Sequence, residues 1–441
     1  MINRHFVNWV VFLTIGILCA FYYGGIGQVP FHPDESTYIF MSSDIDIFFK
    51  SPQSMFWNPE NDGDIRQIYH KRDAPLTRYL IRLGRWLSSY NSLPVDWDWS
   101  KSWDENSIAG ALPDPNLLLI GRLAVSFLFP LSLILMYQIG KTLHSRLCGW
   151  LILLLLGTNA LVLIHTRRAM AESVLLFTTV LSVWSILKYH HKPIVLALSV
   201  MLAFNSKHST IFLLPLGLFA IYYTCRLINA PWKKIIIKIS IFLTVFLAGT
   251  IILNPFIWGY PIQAIISAVN SRQDLIQRQV ATLSSINPDY QIDTIQKGIF
   301  YQVLQTFIAQ PAIADVGNYL EQTKPAELLY YNNPFNHLFR SSIEGLIGLI
   351  LTLFGIILSI RNIFDKKNMH RRSMTYLIIC TLGQFLIILI FVPLPFQRYY
   401  LPVVPFCCIW IAFGICEILS PICKKTTGVF ARNPKTPVEP G

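Results

Sequence analysis

Apolar runs long enough to cross a lipid bilayer recur along the chain, and they restrict its fold more than any other feature. The hydrocarbon core of a bilayer is about 30 Å thick, so a spanning helix needs about 20 apolar residues. Backbone polar groups find no water at that depth, and such runs must therefore form helices. We predict about ten spans, with nine and eleven as alternatives, at 6–23, 117–139, 147–164, 173–187, 193–206, 209–225, 235–253, 343–360, 374–392 and 401–419.

The composition agrees with this pattern. Hydrophobic residues make up 53% of the 441 positions and charged residues only 14%, which is unlike a soluble globular domain. The sequence therefore predicts an all-α polytopic membrane protein. We expect one transmembrane domain over residues 1–423 and a polar cytoplasmic tail over 424–441.

The distribution of charge predicts the orientation in the membrane. With both termini in the cytoplasm, the cytoplasmic segments hold half of the 36 Lys and Arg residues. Only Asp365 and Glu439 of the 24 acids lie in those segments, as the positive-inside rule requires. Two long loops, 24–116 and 254–342, then face the other side. Membrane topology accounts for the net charge of +12, so we predict contact with membrane lipids and no nucleic-acid partner.

Two further features concern the compartment. All eight cysteines fall in predicted spans or cytoplasmic segments, so the external loops carry no disulfide framework. The chain also contains no Asn-x-Ser/Thr acceptor site. Both features favour a bacterial inner membrane, with the two long loops in the periplasm.

A pair of acids, Asp34 and Glu35, follows the first span in the motif His32-Pro33-Asp34-Glu35-Ser36-Thr37-Tyr38. Carboxylates at the edge of a bilayer are costly to desolvate, and they are retained there mostly for a function. The alternative is that they only begin a solvated loop.

Cations are predicted at membrane depth on the same side. Arg122 lies five residues inside the second span. Lys207 follows a predicted helix of only 14 residues, 193–206, which rises about 21 Å and therefore ends below the external surface. Arg398 lies at the external mouth between the last two spans. For Arg122 and Lys207 the alternative is a structural side chain that extends to the membrane surface.

Further polar residues occupy the same external side. The tight turn between the third and fourth spans contains His165, Arg168 and Glu172, and Tyr399 follows Arg398. We regard six residues as candidate substrate-binding residues: His32, Tyr38, His165, Arg168, Glu172 and Tyr399.

The first external loop contains a predicted amphipathic helix over residues 75–87. Its apolar face carries Leu76, Tyr79, Leu80, Leu83 and Leu87, and its other face carries Arg78, Arg82 and Arg85. Such a helix either lies along the lipid headgroups or packs on the protein's own loop.

These features suggest glycosyl transfer from a lipid-linked sugar. A lipid-linked phosphate at membrane depth needs cations, because its charge cannot remain unpaired there. An acceptor hydroxyl arriving from water needs a carboxylate to accept its proton.

In the order of its motifs the chain resembles the GT-C membrane glycosyltransferases, in particular the superfamily of dolichyl-phosphate-mannose–protein mannosyltransferases and aminoarabinose transferases. The motifs are the 32–38 segment, Gly121-Arg122-Leu123, Ala169-Met170-Ala171-Glu172-Ser173, Ser206-Lys207-His208, the segment 254–261 and Arg398-Tyr399-Tyr400-Leu401-Pro402. The chain lacks the large soluble insertion of eukaryotic protein mannosyltransferases and the Trp-Trp-Asp motif of oligosaccharyltransferases. The acceptor therefore stays open: a glycan, a lipid or a protein.

The resemblance implies that Asp34 is the catalytic base, that Arg122 and Lys207 hold the lipid phosphate and that Arg398 lies at the mouth of the site. We take all three cations as candidate donor-phosphate-binding residues. We expect a single inverting displacement. Glu35 orients Asp34 or a sugar hydroxyl. With His32 or His70 it could instead bind a divalent metal, but no third ligand is apparent, and we predict neither a metal nor another cofactor.

Two other classes of protein stay open at this point. A transporter or flippase of lipid-linked sugars would also need cations in the membrane, although transporters commonly show inverted repeats and none is visible here. A non-catalytic assembly protein would tolerate the loss of the Asp34 carboxylate.

Overall fold

The computed structural model describes residues 4–313, 317, 319–365 and 369–426, with the side chains of 8–419. Throughout this part of the chain the secondary structure is helical, without strands. The first ten α-helices are α1 Arg4–Gly24, α2 Pro33–Met41, α3 Asp44–Lys50, α4 Ile65–Arg72, α5 Leu76–Leu87, α6 Trp103–Ala109, α7 Pro115–Ser126, α8 Leu128–Leu143, α9 Arg146–Gly157 and α10 Ala160–Thr166. The other ten are α11 Ala171–Tyr189, α12 Pro193–Ser206, α13 Leu213–Leu227, α14 Trp232–Leu253, α15 Pro261–Ile286, α16 Ile295–Val303, α17 Leu320–Asn332, α18 Ser342–Phe364, α19 Arg371–Phe391 and α20 Val404–Thr426.

The spans follow the predicted apolar runs, but the predicted count of ten is not confirmed. Among the described residues, eight helical segments are long and apolar enough to cross a membrane, and the protein is an integral membrane protein. The run 147–164 forms two helices, α9 and α10, bent by 57° at Thr158 and Asn159; counted as one broken span, it makes nine. The run 193–206 forms α12, whose 14 residues are shorter than a span.

The core of the membrane bundle is formed around α11 and the last helix. In 18-residue apolar stretches of α11 and of the last span, Gln397–Leu419, 78% of the residues are buried, compared with 17% in α14 and 22% in α18. The outer helices therefore present apolar side chains outward, as expected for lipid-facing helices. At the crossing of α18 and α20, a side chain at Gly355 would approach the Trp410 carbonyl oxygen to 2.0 Å. Only glycine permits such close packing.

The two long inter-span segments, 24–116 and 254–342, pack on each other. Helix α4 from the first contacts α15 from the second, and Trp57 N–H donates to the Phe256 carbonyl at 2.9 Å. The end of α1 is fixed to the turn after α10, because Arg167 donates to the Phe21 and Tyr22 carbonyls at 3.0 and 2.9 Å. Helix α2 packs against α5 and α7. The predicted tail 424–441 lies almost entirely outside the described residues.

Candidate active site

The acids of the first motif lie in the first turn of α2. His32 is the N-cap: its Nδ1 accepts the Asp34 N–H at 3.1 Å, and its own N–H donates to the Glu35 carboxylate at 3.1 Å. Pro33 occupies the first helical position, where its missing N–H costs nothing. This capping box fixes both acids at the positive end of the helix dipole, which favours their ionised form.

Glu35 is completely buried and paired with Arg122. The guanidinium donates to both carboxylate oxygens at 2.8 Å, and the Ala169 N–H donates to one of them at 2.8 Å. Burial alone would raise the pKa of Glu35, but the Arg122 guanidinium, and next the more distant Arg168, hold it below the ordinary value. Glu35 therefore joins α2, α7 and the segment before α11 as a buried carboxylate.

Arg122 has further partners. Its Nη1 donates to the Ile26 and Val29 carbonyls at 2.9 and 2.8 Å, and only 3% of the residue is exposed. Neither the predicted donor-phosphate role nor extension to the membrane surface is favoured by these contacts. They instead suit a residue that positions α2.

Asp34 points away from this buried pair and forms an ion pair with Arg398, whose Nη1 contacts its Oδ2. Its side chain is 28% exposed and that of Arg398 is 16% exposed, so the pair lines an accessible surface. Arg398 belongs to the 3-10 helix Gln397–Val403, which leads into α20. The guanidinium carbon of Arg398 lies 5.7 Å from the centre of the Tyr399 ring.

Lys207 also lies near Tyr399, with its Nζ 5.3 Å from the ring centre. Helix α12 ends at Ser206, and Lys207 is its extended C-cap, as the sequence predicted from the short apolar run. The Lys207 ammonium donates to Glu172 Oε1 at 3.0 Å, and the two side chains are 23% and 3% exposed. Glu172 lies in the first turn of α11.

We refer to Asp34, Arg398, Lys207, Glu172 and Tyr399 as the ionic cluster. It joins residues from four distant parts of the chain, and all five were candidates from the sequence. The two carboxylates balance the two cations. An incoming anion therefore has to compete with Asp34 or Glu172 for a cation.

Of the other candidates, Tyr38 lies beside the ionic cluster. Its pKa is raised well above the ordinary value by burial, then by the carboxylates of Asp73, Glu172 and Asp34. His165 is 2% exposed and lies within electrostatic range of Glu172. Arg168 is equally buried and donates to the backbone carbonyls of Pro30 and Ile313. Its charge also acts on the Glu35 carboxylate.

Three residues near the ionic cluster were not selected from the sequence. They are Asp73, Arg272 and Asp96. Burial raises the pKa of Asp73, the charge of Arg272 lowers it, and the charge of Asp34 raises it further, so Asp73 lies within electrostatic range of both residues. Asp96 accepts the Tyr69 hydroxyl at 2.5 Å, and its pKa is raised by burial and also by Asp34. The sequence offered one weak signal for Arg272, a cation in an external loop against the positive-inside trend.

The residues proposed for a metal are engaged elsewhere. Both oxygens of Glu35 are occupied by Arg122 and the Ala169 N–H, and the His32 imidazole accepts a backbone N–H. His70 pairs with Asp44 at 2.9 Å. In the described part of the chain, groups of three or more His, Cys, Asp or Glu residues suited to a metal are absent.

Comparisons with known proteins agree with this architecture. Residues 65–260, under half of the chain, match the family model described as dolichyl-phosphate-mannose-protein mannosyltransferase. No curated protein sequence matches the chain.

Among solved structures, the chain is similar to the archaeal oligosaccharyltransferase AglB from Archaeoglobus fulgidus. A complex with an inhibitory peptide and a dolichol-phosphate has a TM-score of 0.51 and 11% identity, over 97% of this chain and 53% of that chain. The apo form gives 0.53 and 11% over 98% and 53%. This chain thus spans about half the length of the oligosaccharyltransferase. At 11% identity the likeness shows the fold alone, and the predicted all-α, GT-C type of fold is confirmed.

Proposed function

We propose that the chain is a membrane glycosyltransferase that moves a sugar from a polyprenyl-phosphate-linked donor to an acceptor hydroxyl. The observation that carries the proposal is the ionic cluster, where a partly exposed carboxylate and two cations meet around Tyr399 at the ends of spans. The partial match to a mannosyltransferase family model supports the same chemistry. The proposed site faces the periplasm of a bacterial inner membrane, as the charge distribution favours.

In this proposal Lys207 and Arg398 bind the donor phosphate. Both are partly exposed and lie over the same aromatic ring, so one anion can approach both. Charge-assisted contacts of this kind are the strong ones, and they strengthen as charge develops on the leaving phosphate. From the sequence, Arg122 was a third candidate for this role beside these two residues. Its engagement with Glu35 makes it, in our proposal, a positioning residue.

The reaction then follows from an exchange of partners. As the donor phosphate binds Arg398, Asp34 loses its ion-pair partner and becomes a stronger base. Asp34 accepts the proton of the acceptor hydroxyl while that oxygen attacks the anomeric carbon. The bond from this carbon to the phosphate oxygen breaks, the configuration inverts, and polyprenyl phosphate leaves with the negative charge held by Lys207 and Arg398.

The remaining candidates support this arrangement. Glu35, Arg122 and the His32 cap fix the first turn of α2 and so the position of Asp34. Glu172 holds Lys207 in place until an anion binds. Tyr38 and His165 border the cluster, where a sugar hydroxyl would find polar partners. The chain spans only about half the length of its structural neighbours, so their acceptors are not carried over to it.

The test is Asp34→Asn in the purified protein. Loss of a positioned general base costs about 10²–10⁴-fold in rate. We expect transfer from a polyprenyl-phosphate sugar to fall by that factor. Donor-induced stabilisation should persist or grow, because Arg398 loses its competing carboxylate. Glu60→Gln, an exposed acid in the same loop, serves as the matched control and should retain full activity.

More than a tenth of wild-type turnover in Asp34→Asn would contradict the assignment of the base. A flippase would move the donor across a bilayer without transferring sugar, in Asp34→Asn and in Glu60→Gln alike. That result would contradict the proposed function as a whole.

A further inference from the structure

A cavity of about 550 Å³ lies between α4 and α15, where the two long inter-span segments meet. An indole, two amides and two guanidinium groups are among its lining side chains: Trp57, Gln263, Asn270, Arg72 and Arg278. Aromatic rings and amides suit a saccharide, whose faces are apolar and whose hydroxyls need donors and acceptors. Guanidinium groups suit a carboxylate or a phosphate.

Two acids, Asp62 and Asp274, line the cavity beside three cations, Lys71, Arg72 and Arg278, which leaves one net positive charge. Of the two acids, Asp62 is already paired. Asp62 accepts the Lys71 ammonium and the Trp57 indole N–H at 2.8 and 2.9 Å, and the Ser267 hydroxyl lies at 3.4 Å. These contacts lower its pKa against the effect of burial. Asp62 therefore fixes Trp57 and Lys71 in the wall and does not provide charge against the arginines.

The two arginines of the cavity are held by their neighbours in the wall. Arg72 Nε donates to the Ser271 hydroxyl at 3.0 Å, and Arg278 Nε donates to the Asp274 carbonyl at 3.3 Å. Burial lowers the pKa of Arg72, and the positive charges of Arg278 and Arg272 lower it further, against the opposite effect of Asp73. The repulsion between neighbouring positive charges is reduced when an anion binds between them.

The wall of the cavity is connected to the surroundings of the ionic cluster by neighbouring residues of the chain. Arg72 precedes Asp73, whose pKa responds to the charges of both Asp34 and Lys207. This placement suits a molecule of several sugar rings, with one end in the cavity and the other toward Asp34.

We infer that this cavity binds an anionic saccharide, with its phosphate or carboxylate group at Arg72 and Arg278 and a sugar ring beside Trp57. The inference deepens the proposed function by assigning this saccharide as part of the acceptor, and that assignment rests on the proposed function. Binding of the saccharide in the cavity does not depend on the proposed function.

The experiment measures binding to the full chain in detergent at low salt, without donor, by saturation-transfer NMR. The probes are glucose 1-phosphate, glucuronic acid and glucose. Inorganic phosphate, which has no carbon-bound protons to observe, is measured by its displacement of glucose 1-phosphate. We expect the charged sugars to bind at least about tenfold more tightly than glucose and than inorganic phosphate. Their relative affinities show whether phosphate or carboxylate is the preferred group. Affinity should weaken as salt rises.

Arg72→Ala and Arg278→Ala should each weaken binding of the charged sugars about tenfold and leave glucose unchanged. Arg278 is exposed, so its variant tests the site even if Arg72→Ala disturbs the contact between α4 and α15. Lys324→Ala, an exposed cation of α17, is the matched control and should bind as the wild type does.

Unchanged affinity in Arg278→Ala, or equal affinity for glucose and the charged sugars, would overturn the inference. Tighter binding of inorganic phosphate, or of an acidic peptide, at the same arginines would also overturn it, because the sugar ring would then contribute nothing. Asp34→Asn should not change binding. If Asp34→Asn abolishes transfer while Arg278→Ala binds normally, the proposed function stands and this site fails. If Asp34→Asn transfers normally while Arg278→Ala loses binding, the reverse holds.

Discussion

Arg122 and Lys207, considered together from the sequence as phosphate ligands, have different environments at the scale of single residues. Arg122 is buried with Glu35, and removal of one partner from a buried ion pair costs about 3–5 kcal/mol, because the other charge stays desolvated. Lys207 is partly exposed, so its loss costs far less. We expect Arg122→Ala to lower the Tm in detergent strongly and Lys207→Ala to lower it little.

The rise in Tm caused by donor should also differ between the two variants, and here Lys207→Ala should be the more affected. Lys207→Ala should lose most of the rise in Tm caused by donor, because ligand binding stabilises only through the contacts it makes. Arg122→Lys should recover part of the stability, since an ammonium cannot reproduce the bidentate contact with Glu35. A normal donor-induced rise in Lys207→Ala would remove Lys207 from the phosphate site.

Asp73 gives a prediction about pH. Its pKa is raised in the folded protein, mainly by burial, so folding favours its protonated form. The associated stability is fully present below the ordinary Asp pKa of about 3.9 and is lost as pH rises through the raised value. Asp73→Asn should therefore raise the Tm at pH 7 and have little effect near pH 3.5. Thermal melts at both pH values test this, with Glu60→Gln as the control; an equal effect at both would contradict it.

The residues of the candidate site were predictable from sequence to different degrees. Asp34, Lys207 and Arg398 were selected because charge near a membrane is costly, and the structure brings them to one cluster. The partner of each charge could not be read from sequence. Glu35 and Arg122 are 87 residues apart in the chain, and only the fold shows that they satisfy each other. Asp73 was missed for the same reason, because its environment comes from distant segments.

At the scale of elements, α5 has its charged face inward. Arg78 pairs with Asp44 at 3.0 Å, and Arg85 pairs with Asp46 at 2.8 Å. On the opposite side Trp86 and Leu87 are 62% and 71% exposed. The sequence left two alternatives for this helix, and the arginine face does pack on the protein's own loop. Its free apolar face suits contact with lipid.

A photocrosslinking residue at position 87 tests this contact. In reconstituted vesicles we expect p-benzoylphenylalanine in place of Leu87 to crosslink to phospholipid, because the apolar face would lie at the headgroup boundary. The same residue in place of Glu60, which is exposed but lies in a polar segment, is the control and should crosslink to no lipid. Absence of lipid crosslinks at position 87 would show that another part of the protein, or a partner, covers this face.

At the scale of the whole molecule, hydropathy predicted the positions of the apolar helices better than their number. The break between α9 and α10 and the short α12 both depart from a simple span, and each leads to residues of the site. The short length of α12 was visible in the sequence as 14 apolar residues. The 57° bend was not predicted, although Thr158 and Asn159 interrupt the apolar run 147–164 and Asn159 caps α10 by accepting the Leu161 and Val162 N–H groups.

The orientation of the whole molecule gives the last prediction. The positive-inside rule assigns the two long segments to the periplasm and the segment between α13 and α14 to the cytoplasm. Single cysteines in place of Ser54 and Ser285, which are exposed, should react in intact cells with a thiol reagent that cannot cross the membrane. A cysteine in place of Lys233, exposed near the start of α14, should react only after the cells are opened. The opposite pattern would place Asp34 in the cytoplasm, where a nucleotide sugar would replace the lipid-linked donor as the natural substrate.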